Sequence, residues 1–369
     1  MILKGPGRKT RAVRSVKRTV EMIEYKKENV ALAIAAMAHM PHMEVLEKYL
    51  PELLVPEVDN SLADRKVTDF KAAIYNMETG NRLDLLLAYL QNHPRLKDAD
   101  IILANEVDQG MARSANVDVT RALAQQLGMN YAFGVEFLTA DAWTKGNKQG
   151  LGGNAILSRY KLNHATVIHL PIEYDWFLRQ GDCRLGVRMA VAATIEAGGR
   201  TVCVCSAHLD NRISPAGRAN QMRYLLEQLD REYGRSTPVL LGGDMNTNTV
   251  DGDAIDGYRF IKDRAEQLRR LGEVARWEPM LAMPAMFGYR YDTCNIINKV
   301  TRRKPDPTGD ILLNLDWFFV RDVECRDPGV VTSIFDHSQL EDGCRFADLD
   351  GRLLSDHDCV YVTGRFKTV

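Results

Sequence analysis

From Val67 onward, short apolar runs alternate with segments whose apolar residues recur every three or four positions, the pattern of strands interleaved with helices. FKAAIYN (70–76), ADIILANE (99–106), YAFGVEF (131–137), NAILSRY (154–160), PVLLGGD (238–244), LDWFFV (315–320) and CVYVTGRF (359–366) predict strands. Leu83, Leu86, Leu87 and Leu90 fall on one helix face, a second helix spans Val117 to Leu127, and a third, Pro215 to Arg231, turns Met222, Leu225, Leu226 and Leu229 inward. VRMAVAATIEA and RTVCVCSAH flank Gly198-Gly199, a turn dipeptide between two β runs, which predicts a hairpin and hence a sheet that is not purely parallel. The sum is an α/β protein of mixed sheets with helices packed outside. Met280 to Asp310, rich in Pro, Arg and Tyr, reads as a long loop.

Residues 1–66 follow another pattern. The first eighteen positions hold seven Lys or Arg and no acid, a helix is predicted up to about Leu50, and PELLVPEVDNSLADRK has two prolines and no clear period. This reads as a basic arm, a helical extension and a linker ahead of a catalytic-type domain at 67–369. The arm suits either a solvated terminus or a contact for an anionic partner.

Composition narrows the classes. Across 369 residues, 48 Lys and Arg nearly balance 49 Asp and Glu, which excludes a protein that holds nucleic acid by bulk charge, so any charge recognition is local. Seven cysteines without a CxxC pair favour a reducing, cytoplasmic setting. NVALAIAAMAHM (29–40) is shorter than the ~18 apolar residues a membrane span needs, and the start lacks the apolar stretch and cleavage site of a secretory signal.

The candidate chemistry lies where strands end. FKAAIYN ends at Asn76, ADIILANE at Glu106, RTVCVCSAH at His208 and PVLLGGD at Asp244 with Asn246 beyond it, while LSDH sets Asp356 and His357 before the last strand. A carboxylate at the end of a buried strand is costly unless paired, hydrogen-bonded or bound to a cation. Asp and Glu oxygens suit Mg²⁺, whereas no HExxH or cysteine cluster offers zinc its usual ligands. Taken singly, GGD also fits a turn, SDH a helix cap and HLD an ordinary loop, and Asp316 fits an ion pair with Arg321. His39, His42, His93, His164, His169 and His337 belong to no motif and read as structural or surface residues, and Arg218 and Gln221 as braces of the loop after His208.

Together, ANEVD, GGNAILSRY, SAHLDNRISPAGRANQ, VLLGGDMNTNT, LDWFFVRD and LLSDHD resemble, in order, the motif series of the endonuclease/exonuclease/phosphatase superfamily. One departure is Asn105, where many members have Gln before the metal-binding Glu. The resemblance implies a four-layer sandwich of two packed mixed or antiparallel β-sheets with flanking helices, and an Mg²⁺ site (Mn²⁺ as substitute) at one edge. It implies that Glu106 is the main metal ligand, with Asn76 and Asp356 nearby. His357, oriented by Asp316, would be general base or phosphate contact; Asp244 would align or deprotonate the attacking water, and Asn246 would hold that water or the phosphate. His208 would donate to a phosphoryl oxygen or the leaving group, and Arg188 would brace a strand or touch phosphate. The expected activity is metal-dependent phosphoester hydrolysis by in-line water attack, nuclease-like, on a phosphate ester such as nucleic acid. A lipid, inositol or sugar phosphatase, a sphingomyelinase-like enzyme and a catalytically silent phosphate-binding module on the same fold are the alternatives.

Overall fold

The computed structural model describes residues 23–368 except 63, 140–145, 178–182, 248–250, 253–258, 308 and 342, so the basic arm lies outside the described residues. Its strands in chain order are β1 (Glu57–Asp59), β2 (Asp69–Thr79), β3 (Ile101–Gln109), β4 (Asn130–Thr139), β5 (Leu151–Ser158), β6 (Asn163–His169), β7 (Arg184–Gly186), β8 (Met189–Ala197), β9 (Arg200–His208), β10 (Val239–Asp244), β11 (Asp251–Gly252), β12 (Arg259–Phe260), β13 (Arg302–Lys304), β14 (Ile311–Leu313), β15 (Asp316–Arg321), β16 (Val323–Val331) and β17 (Cys359–Phe366). The α-helices are α1 (Lys27–Ala36), α2 (His42–Tyr49), α3 (Leu83–Asn92), α4 (Val119–Leu127), α5 (Pro215–Tyr233), α6 (Arg264–Gly272), α7 (Val274–Trp277) and α8 (Met283–Met286). None is long and apolar enough to cross a membrane.

Two sheets carry the architecture. The first runs β1-β4-β5-β3-β2-β17-β16 with β7 on β4, and the second runs β15-β10-β9-β8-β6. Both are mixed: β2–β3 and β9–β10 pair parallel, their other neighbours antiparallel. Because strand side chains alternate, a strand buried on both faces feeds two cores. Ile74, Leu103, Ile156 and Val362 of the first sheet meet Val191, Val204, Leu240 and Phe318 of the second in a shared core. On the outer face of the first sheet, Tyr75, Ile102 and Phe133 pack with Leu86 and Leu90 of α3 and Leu123 of α4; on the outer face of the second, Cys205, Leu241 and Phe319 pack with Met222, Leu225 and Leu229 of α5. Helix, sheet, sheet and helix make the four layers expected. The hairpin at Gly198-Gly199 also forms, both glycines at positive φ (60° and 79°), as a tight turn between twisted strands requires.

Three local expectations change. The helix expected up to Leu50 is two helices, broken before Pro41, whose ring cannot sit inside a helix. The segment before residue 67 is packed into the fold: Val30, Ala33, Val45, Leu46 and Leu53 join the core outside the first sheet, and β1 extends that sheet at its edge. Within Met280–Asp310, expected as loop, lie α8 and β13, and β13 pairs with β14. β6 and β16, absent from the strand pattern, are sheet edges; β16 contains Pro328 and a bulge between Arg326 and Gly329, features tolerated at an edge.

Candidate active site

The strand register sets the polar ends level. Asp244 pairs with His208 on β9 and with Asp316 on β15, so three site residues form one row across the second sheet. In the first sheet Asn76 pairs with Asn105, the last regular pair before the ladder shifts. At that shift β3 also slips against β5 between Ala104 and Val107, and Glu106 takes φ 51°. The bulge makes Glu106 the one position of β3 that is not fully buried.

Asn105 bolts the two rows together. Its Nδ2 donates to Asn154 Oδ1 (3.0 Å) and to the Ala207 carbonyl (3.1 Å), and its Oδ1 accepts from the Asp244 amide (2.9 Å). The Ala207 carbonyl is reachable because Gly243, at φ 144°, has no Cβ, which would stand 1.9 Å from that oxygen. Asn76 Nδ2 then crosses the sheets to Asp244 Oδ2 (3.0 Å). Asp244 Oδ1 accepts from the Asn246 amide (2.9 Å), and Asn246 Nδ2 donates to the Leu209 carbonyl (2.9 Å), holding the chain in its turn at φ 50°.

Two imidazoles flank Asp244. His357 Nδ1 lies 3.0 Å from Asp316 Oδ2, while its Nε2 faces Asp244 Oδ2 at 3.7 Å and Asp356 Oδ1 at 4.0 Å. Burial opposes the charged ring, but Asp316, Asp244 and Asp356 outweigh it and raise the His357 pKa to about 9. Burial also pushes the Asp316 carboxyl up, which would draw the proton to it; three anions around one ring decide the contest, and the imidazole keeps it. On the other side His208 Nε2 is 3.5 Å from Asp244 Oδ2, and its Nδ1 is 2.9 Å from Arg188 Nη1 and 3.3 Å from Glu136 Oε2. Arg188 Nη1 also donates to Glu136 Oε1 (2.6 Å). Burial raises the Glu136 carboxyl, but Arg188 and His208 prevail and bring it down to about 2.

All the sequence-derived site residues therefore cluster around Asp244, though not with equal closeness. Glu106, His208 and Asp244 each offer an atom within 4.8 Å of the others, as do Asp244, Asp316 and His357. Asn76 joins through Asp244. Asp356 stands at the margin, its Oδ2 taken by Arg302, Nε at 3.0 Å and Nη2 at 2.5 Å. Arg188 does brace a strand end, while Arg321 pairs with Asp230 and leaves Asp316 to His357. Arg218, bonded to Glu278, and Gln221, bonded to the Asp210 amide, support the loop after His208 as expected. Sequence reasoning did not find Glu136, Asn154 or Arg302. For Glu136 a signal existed: it is the one charge in the otherwise apolar run YAFGVEF.

The sequence matches the profile of the Endonuclease/Exonuclease/phosphatase family over residues 73–357, from β2 to His357. The chain belongs to that family. The family includes nucleases, phosphatases and phosphodiesterases, its members are generally hydrolases of phosphoester bonds, and they typically use divalent metals. Solved structures share the fold at low identity. An endonuclease/exonuclease/phosphatase from Beutenbergia cavernae superposes with a TM-score of 0.52 at 18% identity, covering 81% of this chain and 72% of its own. A family protein from Leptotrichia buccalis gives 0.52 at 17%, covering 80% and 100%. The human Nocturnin catalytic domain, solved with a bound sulfate anion, gives 0.50 at 16%, covering 83% and 97%. No curated protein matched the sequence.

The site's donors fit the hard divalent ion that family enzymes use. They are the carboxylate oxygens of Glu106 and Asp244 with the imidazole of His208, and the Glu106 side chain, turned out of its strand by the bulge, makes no hydrogen bond or ion pair with any described residue.

Proposed function

We propose that this chain is a Mg²⁺-dependent, nuclease-like phosphodiesterase. The supporting observation is the convergence on Asp244 of two oriented imidazoles and the unpaired Glu106. Glu106 would hold the ion, with Asp356 as a further oxygen donor and Asn76 offering the second lone pair of an Oδ1 that already accepts from the Glu78 amide (3.1 Å); Mn²⁺ suits the same donors. Bound there, the ion supplies Lewis-acid neutralisation of the phosphoryl oxygens.

The chain's own groups supply the rest. Asp244, fixed by the Asn105 and Asn76 contacts, accepts a proton from the attacking water, and Asn246 keeps that carboxylate in place through its amide. His357 enters protonated and donates to a non-bridging oxygen, with Asp316 holding the ring. His208, held by Arg188 and Glu136 and facing Asp244 with its Nε2, would donate to the leaving oxygen. A polymer diester is the favoured substrate: the cleft beside Glu106 is lined by Arg113, Arg184 and Arg188 together with Asp108 and Glu136, Arg113 pairs with Asp108 and Arg188 with Glu136, and Arg184, stacked on Phe137 and Trp176, is the guanidinium a flanking phosphate would meet. Among the described residues Cys183, Cys203, Cys205, Cys294, Cys325 and Cys359 are free, in keeping with a reducing, cytoplasmic setting.

Purified protein with Mg²⁺ is expected to hydrolyse bis(p-nitrophenyl) phosphate and a single-stranded oligonucleotide, and Glu106→Ala to lose both activities. Equal rates for wild type and variant refute the reading. Faster turnover of p-nitrophenyl phosphate or an inositol phosphate than of either diester moves it to a phosphatase, and oligonucleotide binding without turnover moves it to a binding module.

A further inference from the structure

The segment Thr301–Lys304 has no part in the chemistry above, yet it is laid along the His357 loop. Arg302 forms an isolated antiparallel bridge with His357, and the Asp358 amide donates to the Thr301 carbonyl (2.6 Å). Thr301 Oγ1 accepts from the amides of Leu315 (2.9 Å) and Asp316 (3.3 Å), so the same short strand touches the backbone on both sides of the His357–Asp316 pair. Arg303 neutralises Asp358 (2.6 Å). Arg302 is therefore delivered to the site by a rigid element: β13, paired with β14.

Its bonding is incomplete in an informative way. A guanidinium matched to a carboxylate places two parallel N–H groups on two oxygens. Arg302 places both Nε and Nη2 on one oxygen, Asp356 Oδ2, and its Nη1 has no hydrogen-bond partner among the described residues. The side chain is 26% exposed, open to an incoming ligand. Its backbone bridge with His357 and its pair with Asp356 set it at the edge of the acidic group.

The charge balance gives this position a task. Glu136 is matched by Arg188 and Asp358 by Arg303, whereas Glu106, Asp244, Asp316 and Asp356 gather in one pocket where, among the described residues, the Arg302–Asp356 pair is their only ion pair with a Lys or Arg. Without a further cation the pocket stays anionic and repels a phosphate. Arg302 is the guanidinium placed to offset that charge before the substrate arrives.

We infer that Arg302 is a substrate-binding residue of this site, its guanidinium held by Asp356 and β13 where it contacts a non-bridging oxygen of the scissile phosphate. The inference rests on the phosphoesterase reading above. Arg302→Ala and Arg302→Lys in the full chain test it, with circular dichroism to confirm folding and Arg302→Met, which keeps the apolar stem, in place of alanine if that variant does not fold. With bis(p-nitrophenyl) phosphate and Mg²⁺, the alanine variant is expected to raise KM and the inhibition constant of inorganic phosphate by about 10- to 100-fold, the range of a hydrogen bond to a charged group, with lysine between it and wild type. Mn²⁺ binding without substrate, read by electron paramagnetic resonance, is expected to hold or tighten as Asp356 is released. Unchanged KM and phosphate affinity overturn the inference and leave Arg302 a counter-ion, and Mn²⁺ binding that weakens in step with KM overturns it by placing the effect at the metal. Inorganic phosphate binding to the chain in saturating Mg²⁺, read by calorimetry, separates this inference from the proposed function: equal dissociation constants for wild type and alanine variant overturn it even if the wild type hydrolyses diesters, and a loss in the variant supports it even if the wild type hydrolyses none.

Discussion

The two imidazoles beside Asp244 come from different sheets, His208 from the end of β9 in the second and His357 from the turn before β17 of the first, and they are backed by carboxylates in different ways. Glu136 behind His208 is shared with Arg188, so its charge is already taken up within the wall of the site. Asp316 behind His357 has no guanidinium of its own among the described residues, and Asp244 and Asp356 add to its field. A buried carboxylate paired with arginine makes a rigid support, whereas one left to an imidazole raises the affinity of that ring for a proton. The pocket thus has a structural side and a proton-handling side built from the same residue types.

Substitutions can separate the two sides. The largest effect is expected from His357→Asn, with kcat down by about 10²–10⁴, the range of a general acid or base, and, in metal-free protein, little change in thermal midpoint above about pH 9, where the ring no longer adds stability. Arg188→Ala should do the reverse in kind, costing about 3–5 kcal/mol of stability in urea unfolding because Glu136 is left buried and unpaired. Glu136→Gln added to it should recover part of that loss; an Arg188→Ala protein as stable as wild type would erase the distinction between the sides.

The pH dependence of stability in metal-free protein should show both sides at once. His357 is raised when folded, so its contribution is complete below its ordinary 6.5 and is lost as pH climbs through about 9. Glu136 is lowered, so its contribution is present above its ordinary 4.5 and is lost as pH falls toward about 2. Urea midpoints across pH in EDTA should then show an alkaline arm that disappears in His357→Asn and an acid arm that shrinks in Glu136→Gln. A smaller effect is expected from Asn105→Ala, about 1–3 kcal/mol for polar groups left without partners beneath both sides, measured by the same unfolding.

Strands buried on both faces, such as β3, β9 and β10, were legible in the sequence because each holds an unbroken apolar run, IILA, VCVC and VLL. The edges β6 and β16 were not, since a strand with one face in solvent has no such run and Pro328 argues against one. The break of the first helix was signalled by Pro41, but the packing of α1 and α2 against the first sheet was not, because their apolar positions do not name the surface they cover.

The sequence alone determined the alternation of strands and helices, the polar residue at each strand end and, through the ordered motifs, the family. Side chains of chemical type and fixed local spacing carry that information without reference to their neighbours. Only the tertiary structure decided that Asn105 bolts the two sheets, that Glu136 belongs to Arg188 and His208, that a bulge turns Glu106 out of its strand, and that Arg302 crosses to Asp356. Each of these depends on register and on which sheet faces which, and a contact between residues tens or hundreds of positions apart is set by the packing of whole layers.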